Sequence, residues 1–131
     1  MSADQSIVPV RTTHAPAAAG HYSQGMVHNG LVYVAGQLPI DPVSGQIVDG
    51  GLEAQTERTL RNVEAILVAA GGSLASLLSV TIYITDRDQW AGVNVTYARL
   101  LGDHRPARAV IPVAELKAGC FIEIQAVAAI L

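Results

Sequence analysis

Cysteine is nearly missing from this chain. Cys120 stands alone among 131 residues, so no intrachain disulfide can form, and a reducing compartment suits the sequence. Aromatic residues make up only 5%, which leaves Val, Ile, Leu and Ala to build a core. Charged residues are also scarce, at 15% against 50% hydrophobic. That balance excludes disorder over most of the chain. It also predicts either a very apolar core or apolar surface covered by other subunits. The eight Lys and Arg residues are scattered and the formal net charge is −3. The chain therefore has no basic stripe of the kind that neutralises phosphates, which argues against a nucleic-acid partner. No apolar run approaches the roughly 20 residues that span a bilayer. The first 20 residues have no apolar stretch after a basic start, so no secretory leader is expected and the cytoplasm is the expected location. His14, His21, His28 and His104 lack metal-ligand spacing, and no metal site is expected. Gly-x-Ser-x-Gly, Walker A and Gly-x-Gly-x-x-Gly are all absent.

What is present reads as one domain over residues 1–131 with short connections. Ile7–Arg11 and Tyr22–Val27 are candidate strands, with a loop over His14–Gly20 between them. Asn29-Gly30 is a strong hairpin turn before the apolar, β-branched run Leu31–Gln37. A helix is predicted from about Leu52 to Ala70. Leu60, Val63, Leu67 and Ala70 share its apolar face, Glu57, Arg58, Arg61 and Glu64 lie opposite, and Gly71-Gly72 ends it. Ser79–Thr85 alternates as a half-buried strand. A second helix is predicted from Asp86, with Asp86 and Gln89 as a capping box. Its stripe is Trp90, Val93, Tyr97, Leu100 and Leu101. Ala107–Val113 and Cys120–Ala129 are the last strands. In the final one Ile122, Ile124, Ala126 and Ala128 share a face, and Phe121, Glu123, Gln125 and Val127 take the other. The order β-β-β-α-β-α-β-β gives an α+β fold, a mixed sheet with both helices packed on one face. The second sheet face stays half apolar, which predicts oligomerisation.

Four side chains are candidates for chemistry. Arg108 opens a strand among apolar neighbours and offers a planar fork to a carboxylate; the plain alternative is an exposed or ion-paired arginine. Glu123 sits in an apolar strand, where desolvation raises a carboxyl pKa and suits it to acid–base work. The alternative is a solvated outer face or an ion pair. Asn94 lies beside the stripe of the second helix and needs hydrogen-bond partners, in a pocket or in a nearby loop. Tyr22, flanked by loop residues, can line a pocket or serve as half-buried packing.

Several segments together resemble the RidA (YjgF) family. They are 15–25 (Ala-Pro-Ala-Ala-Ala-Gly-His-Tyr-Ser-Gln-Gly), 34–42 (Val-Ala-Gly-Gln-Leu-Pro-Ile-Asp-Pro) with Gly45, Gln55-Thr56, Asn62-Val63, 69–71, 93–97 (Val-Asn-Val-Thr-Tyr), 106–108 (Pro-Ala-Arg) and 122–126 (Ile-Glu-Ile-Gln-Ala). The resemblance implies a chorismate-mutase-like fold assembled as a homotrimer, with ligand pockets between subunits. It implies hydrolysis of 2-aminoacrylate and related enamines or imines to 2-keto acids and ammonia, with no cofactor. It assigns Arg108 to the substrate carboxylate and Glu123 to the attacking water. Tyr22 and Asn94 would line or support the pocket, and backbone groups near Gly36 and Val110 would complete it. Ala35 and Val110 stand where the best-known members carry serine and cysteine, and His21 stands for a common proline, so the pocket is more apolar than theirs. Rival expectations are a dedicated deaminase of the same family, acting on 2-aminomuconate or in pyrimidine breakdown, an RNA-directed endoribonuclease or translation inhibitor, and a non-catalytic binding or chaperone-like trimer.

Overall fold

The computed structural model describes residues 6–131. Its elements are β1 (Val8–Val10), β2 (Gly25–His28), β3 (Leu31–Gln37), α1 (Gly51–Ala70), β4 (Leu77–Ile84), α2 (Trp90–Leu101), β5 (Ala107–Pro112) and β6 (Ile122–Ala129). The order matches the β-β-β-α-β-α-β-β expectation. The strands form one six-stranded mixed sheet, β1-β2-β3-β6-β4-β5, antiparallel except for the parallel pair β4–β5. Helix α2 provides the crossover that a parallel pair requires.

Local chemistry explains most boundaries. His28 pairs with Leu31 across a two-residue turn, and both turn residues have positive φ, Asn29 at 52° and Gly30 at 75°. That is the backbone a tight hairpin wants, and Asn-Gly adopts it at low cost. Helix α1 stops at Gly71, whose left-handed backbone turns its N–H back to Val68 O while Gly72 N–H reaches Leu67 O. Burial of its apolar stripe drives the helix onto the sheet. Leu60, Val63, Ile66 and Leu67 of α1 and Val93, Tyr97 and Leu101 of α2 join Val32, Val34, Val80, Ile82, Ile84, Ile122, Ile124, Ala126 and Ala128 in one core. Both helices thus cover one sheet face. The other face is left with exposed Tyr33, Ile111 and Phe121 beside Glu123 and Gln125.

Three local expectations need correction. The second strand starts at Gly25, not Tyr22, because pairing begins where Gly25 meets Val34. Residues before it instead form bends held by buried Gln24, whose amide donates to Thr12 O and Pro16 O while its carbonyl accepts from Thr12 N–H. Asp86 does not open an α-helix through a capping box. Its carboxylate accepts from Asp88 N–H in a short 3-10 turn over Arg87–Gln89, and α2 begins at Trp90. Gln89 Oε1 is buried without a partner, so the reciprocal arm of the box is missing. Trp90, expected in the buried stripe, is exposed.

Candidate functional site

Strand register decides which side chains can meet. In β6, Ile122, Ile124, Ala126 and Ala128 point to the helices, so Glu123 and Gln125 lie on the open face. In β5, Arg108 pairs with buried Val80 and Val110 with buried Ile82. Paired neighbours share a face, so Arg108 and Val110 lie on the helix side. Within a single chain Arg108 and Glu123 sit on opposite faces of the sheet and do not meet. Each stands in its own cluster of side chains, a half-site in that it holds only one of the two.

The first half-site belongs to Glu123. Between Val34↔Ala126 and Gln37↔Ile124, β3 spends three residues where β6 spends two, a bulge at Ala35-Gly36. The bulge brings the bare Cα of Gly36 against Glu123, so that a Cβ there would meet the carboxylate. Tyr83 of β4 is the cross-strand neighbour of Glu123 on the other side, and its hydroxyl donates to Gln125 Oε1 at 3.1 Å. No hydrogen bond or ion pair holds the Glu123 carboxylate among the described residues. Burial raises its pKa above the ordinary 4.5. Two buried amides of α1 brace the segments around this pair. Gln55 donates to Gly119 O and accepts from Phe121 N–H, both at 2.8 Å, which fixes the entry to β6. Asn62 donates to Leu38 O at 3.0 Å and Ile40 O at 2.9 Å, which fixes the exit from β3.

The second half-site belongs to Arg108, on the edge strand. Its Nη1 donates to Asn94 Oδ1 at 2.8 Å, and its guanidinium carbon lies 4.9 Å from the centre of the Tyr97 ring. Asn94 and Tyr97 are three residues apart on α2 and so share a helix face. One accepts a hydrogen bond in the guanidinium plane and the other stacks on its face, a combination that suits arginine and not lysine. Among the described residues the rest of the fork has no partner, and it lies at a cleft of about 490 Å³. Tyr97 itself is buried, its hydroxyl has no partner among the described residues, and burial raises its pKa against the opposing charge of Arg108. Tyr97 was read from the sequence as core packing alone. The signal that marks it is its i+3 spacing from Asn94.

Within one chain Tyr22 does not share the cleft of Arg108, and the bend that carries it is tied to the β3 bulge, where Ala35 N–H donates to Gln24 O at 2.9 Å. Tyr22 is exposed in the bend before β2, its hydroxyl accepts from Ala19 N–H at 3.3 Å, and the cleft it lines with Val10–Thr13 shares no residue with that of Arg108. Among the described residues no group of three or more His, Cys, Asp or Glu side chains could hold a metal. No described helix is long and apolar enough to cross a membrane.

The chain is similar to known proteins in both sequence and fold. The family model for Endoribonuclease L-PSP matches residues 12–130. A RutC family protein of Pyrococcus horikoshii is 42% identical over 117 residues, 89% of this chain and 93% of its own. A 2-iminobutanoate/2-iminopropanoate deaminase of Rattus norvegicus is 39% identical over 119 residues, covering 91% of this chain and 87% of its own. The crystal structure of RidA from an Antarctic Psychrobacter superposes with a TM-score of 0.90 at 36% identity, covering 94% of this chain and 99% of that one. With matches spanning nearly its whole length in both sequence and fold, the chain belongs to the Endoribonuclease L-PSP family, which is the RidA/YjgF family.

Proposed function

We propose that this protein hydrolyses imines and enamines of small 2-keto acids, at sites completed between copies of the chain in a cytoplasmic homotrimer. The observation that carries this reading is the guanidinium of Arg108, clamped by Asn94 and Tyr97 yet with free donors at a cleft. A planar fork pre-set in this way suits a carboxylate. Glu123, unpaired and desolvated beside Gly36, supplies the complementary base. Because the two groups lie on opposite sheet faces, one chain cannot offer both to one substrate. A neighbour whose β5 edge lies against the Gly36–Glu123 face brings them together and covers Tyr33, Ile111 and Phe121.

The chemistry is modest. An imine carbon is already electrophilic, so rate comes from holding it against a placed water. Glu123 takes a proton as the water oxygen bonds to that carbon and the C=N π pair moves to nitrogen. Glu123 returns that proton to the nitrogen to complete the carbinolamine, and on collapse the carbinol O–H proton follows through Glu123 to the nitrogen as the C–N bond breaks, giving the keto acid and ammonia. No redox change occurs and no external group is consumed besides water. The activity named for the rat relative supports this reading. Ala35 and Val110 add apolar wall to the pocket.

The direct test generates imines in situ with an amino-acid oxidase and follows keto-acid release above the spontaneous rate. A rise that is lost in Arg108→Ala supports the proposal. Wild-type protein with no effect on imine lifetime, or activity intact in Arg108→Ala, refutes it. The trimer is tested by sedimentation at micromolar concentration, where a single-subunit mass refutes it.

A further inference from the structure

The cleft beside Arg108 is more cationic than a one-carboxylate ligand needs. Arg105 and His104 line it together with Arg108, and no carboxylate does. His104 is tied by a 2.8 Å hydrogen bond between Nε2 and Leu77 O. Arg105 has no ion pair or hydrogen bond among the described residues, although Asp103 is two positions away. Most surface arginines gain little from a partner, so an unpaired one is ordinary on a flat face. A second unpaired guanidinium in one concave cleft with a clamped one is a different situation. The cleft also includes the wall of Tyr97, which is 7% exposed and whose hydroxyl is unpartnered.

The local backbone sets the spacing. Pro106 keeps Arg105 out of helical backbone, the Cα atoms of Arg105 and Arg108 are at most about 10 Å apart, and both residues line the one cleft. Two long side chains on that span can close on a ligand with an anionic group at each end. We infer that Arg105 is a specificity residue and that the preferred substrates are imines of 2-keto dicarboxylic acids, with the 2-carboxylate on Arg108 and the distal carboxylate on Arg105. The inference rests on the imine-hydrolase reading and narrows its substrate class.

Stable keto acids separate the two claims. Calorimetry at about 0.15 M salt, where long-range attraction is screened, compares 2-oxoglutarate with 2-ketobutyrate on wild type and on Arg105→Gln. Circular dichroism serves as the folding control. A charge-assisted hydrogen bond, discounted for exposure, gives wild type about tenfold tighter binding of 2-oxoglutarate. Arg105→Gln abolishes that gap and leaves 2-ketobutyrate affinity unchanged. The same ratio appears in kcat/KM for imines formed from glutamate and from 2-aminobutyrate. Equal wild-type affinities overturn the inference and leave the imine-hydrolase reading standing. So does a gap that survives in Arg105→Gln, or a loss that falls equally on both ligands. Wild type that binds neither keto acid and hydrolyses no imine overturns both.

Discussion

Replacing Gly36 with alanine puts a methyl group into space now held by the Glu123 carboxylate. An ideal Cβ at Gly36 lies 3.1 Å from Glu123 Cδ and 3.5 Å from Cγ, with the Oε2 atom closer still. Something has to move, and the end of a flexible glutamate moves more easily than the β3–β6 backbone. The fold therefore survives, at a cost near the lower end of the roughly 1–3 kcal/mol typical of an overpacked site. The carboxylate itself is displaced by something on the order of an ångström. Misplacement of that size costs about a hundredfold in rate, within the 10²–10⁴ that a placed base contributes. Arg108 lies on the other sheet face and is untouched, so binding of 2-ketobutyrate holds while kcat falls. Keto-acid release gives kcat, calorimetry gives affinity and circular dichroism gives folding. A double-mutant cycle isolates the cause: if Gly36 acts only by seating Glu123, Gly36→Ala costs nothing further in a Glu123→Gln background. A folded Gly36→Ala protein with wild-type kcat, or costs that simply add, refutes the seating argument.

Four further outcomes follow from the two half-sites. Arg108→Lys keeps the charge but loses the fork and the stack on Tyr97, and weakens 2-ketobutyrate binding about tenfold or more, since each charged hydrogen bond is worth roughly 1.5–3 kcal/mol; equal affinity in a folded protein counts against a bidentate anchor. Tyr97→Phe keeps the ring under Arg108 and removes an unpartnered buried hydroxyl, so KM stays near wild type, whereas Tyr97→Leu loses the cation–π contact and raises KM about two- to fivefold. Identical KM values for Phe and Leu would assign Tyr97 to packing alone. The acid limb of the rate profile lies above the ordinary glutamate value of 4.5, because burial raises the Glu123 pKa and only its ionised form accepts a proton; the limb disappears in Glu123→Gln, with a rate loss of about a hundredfold or more. The stability sign is opposite to that of an ion-paired acid. A raised folded pKa means that the charge costs stability above that pKa, and the cost vanishes as pH falls through it. Glu123→Gln therefore raises Tm at pH 7, and a lower Tm there would mean that the carboxylate has a stabilising partner.

Local patterns proved legible where they act locally. Asn29-Gly30 fixed its hairpin because both residues accept positive φ. Gly71 ended α1 for the same reason, and the alternation in β6 correctly separated Ile122 and Ile124 from Glu123 on opposite faces. What depends on pairing was not legible. Tyr22–Val27 has strand-like composition throughout, but only Gly25 onward finds partners. Ala-Arg-Ala-Val-Ile-Pro in β5 offers no polar alternation to tell its faces apart, so the side occupied by Arg108 follows only from its register with Val80. The one mark of the bulge at Ala35-Gly36 is a glycine inside a strand run, which does not tell which side chain it seats. Gln55 and Asn62 fall on the buried side of α1, where polarity in an apolar face was the available clue to their bracing role.

The place of β6 in the sheet has a consequence for biogenesis. It is the final strand in chain order, yet it lies in the middle, between β3 and β4. The β1–β3 meander and the β4–α2–β5 crossover share no strand pairing until β6 is inserted between them. A nascent chain emerging from a ribosome therefore holds two unfinished half-sheets, with Val34 and Val80 on the flanks of an empty slot, until residue 129 is free. The fold cannot be banked progressively during synthesis, and the last step must close long sequence separations at once, which slows folding. A stall or cleavage before Ile122 would release a species with two bare strand edges facing one gap, the kind of intermediate that chaperones hold and that otherwise pairs with its own copies.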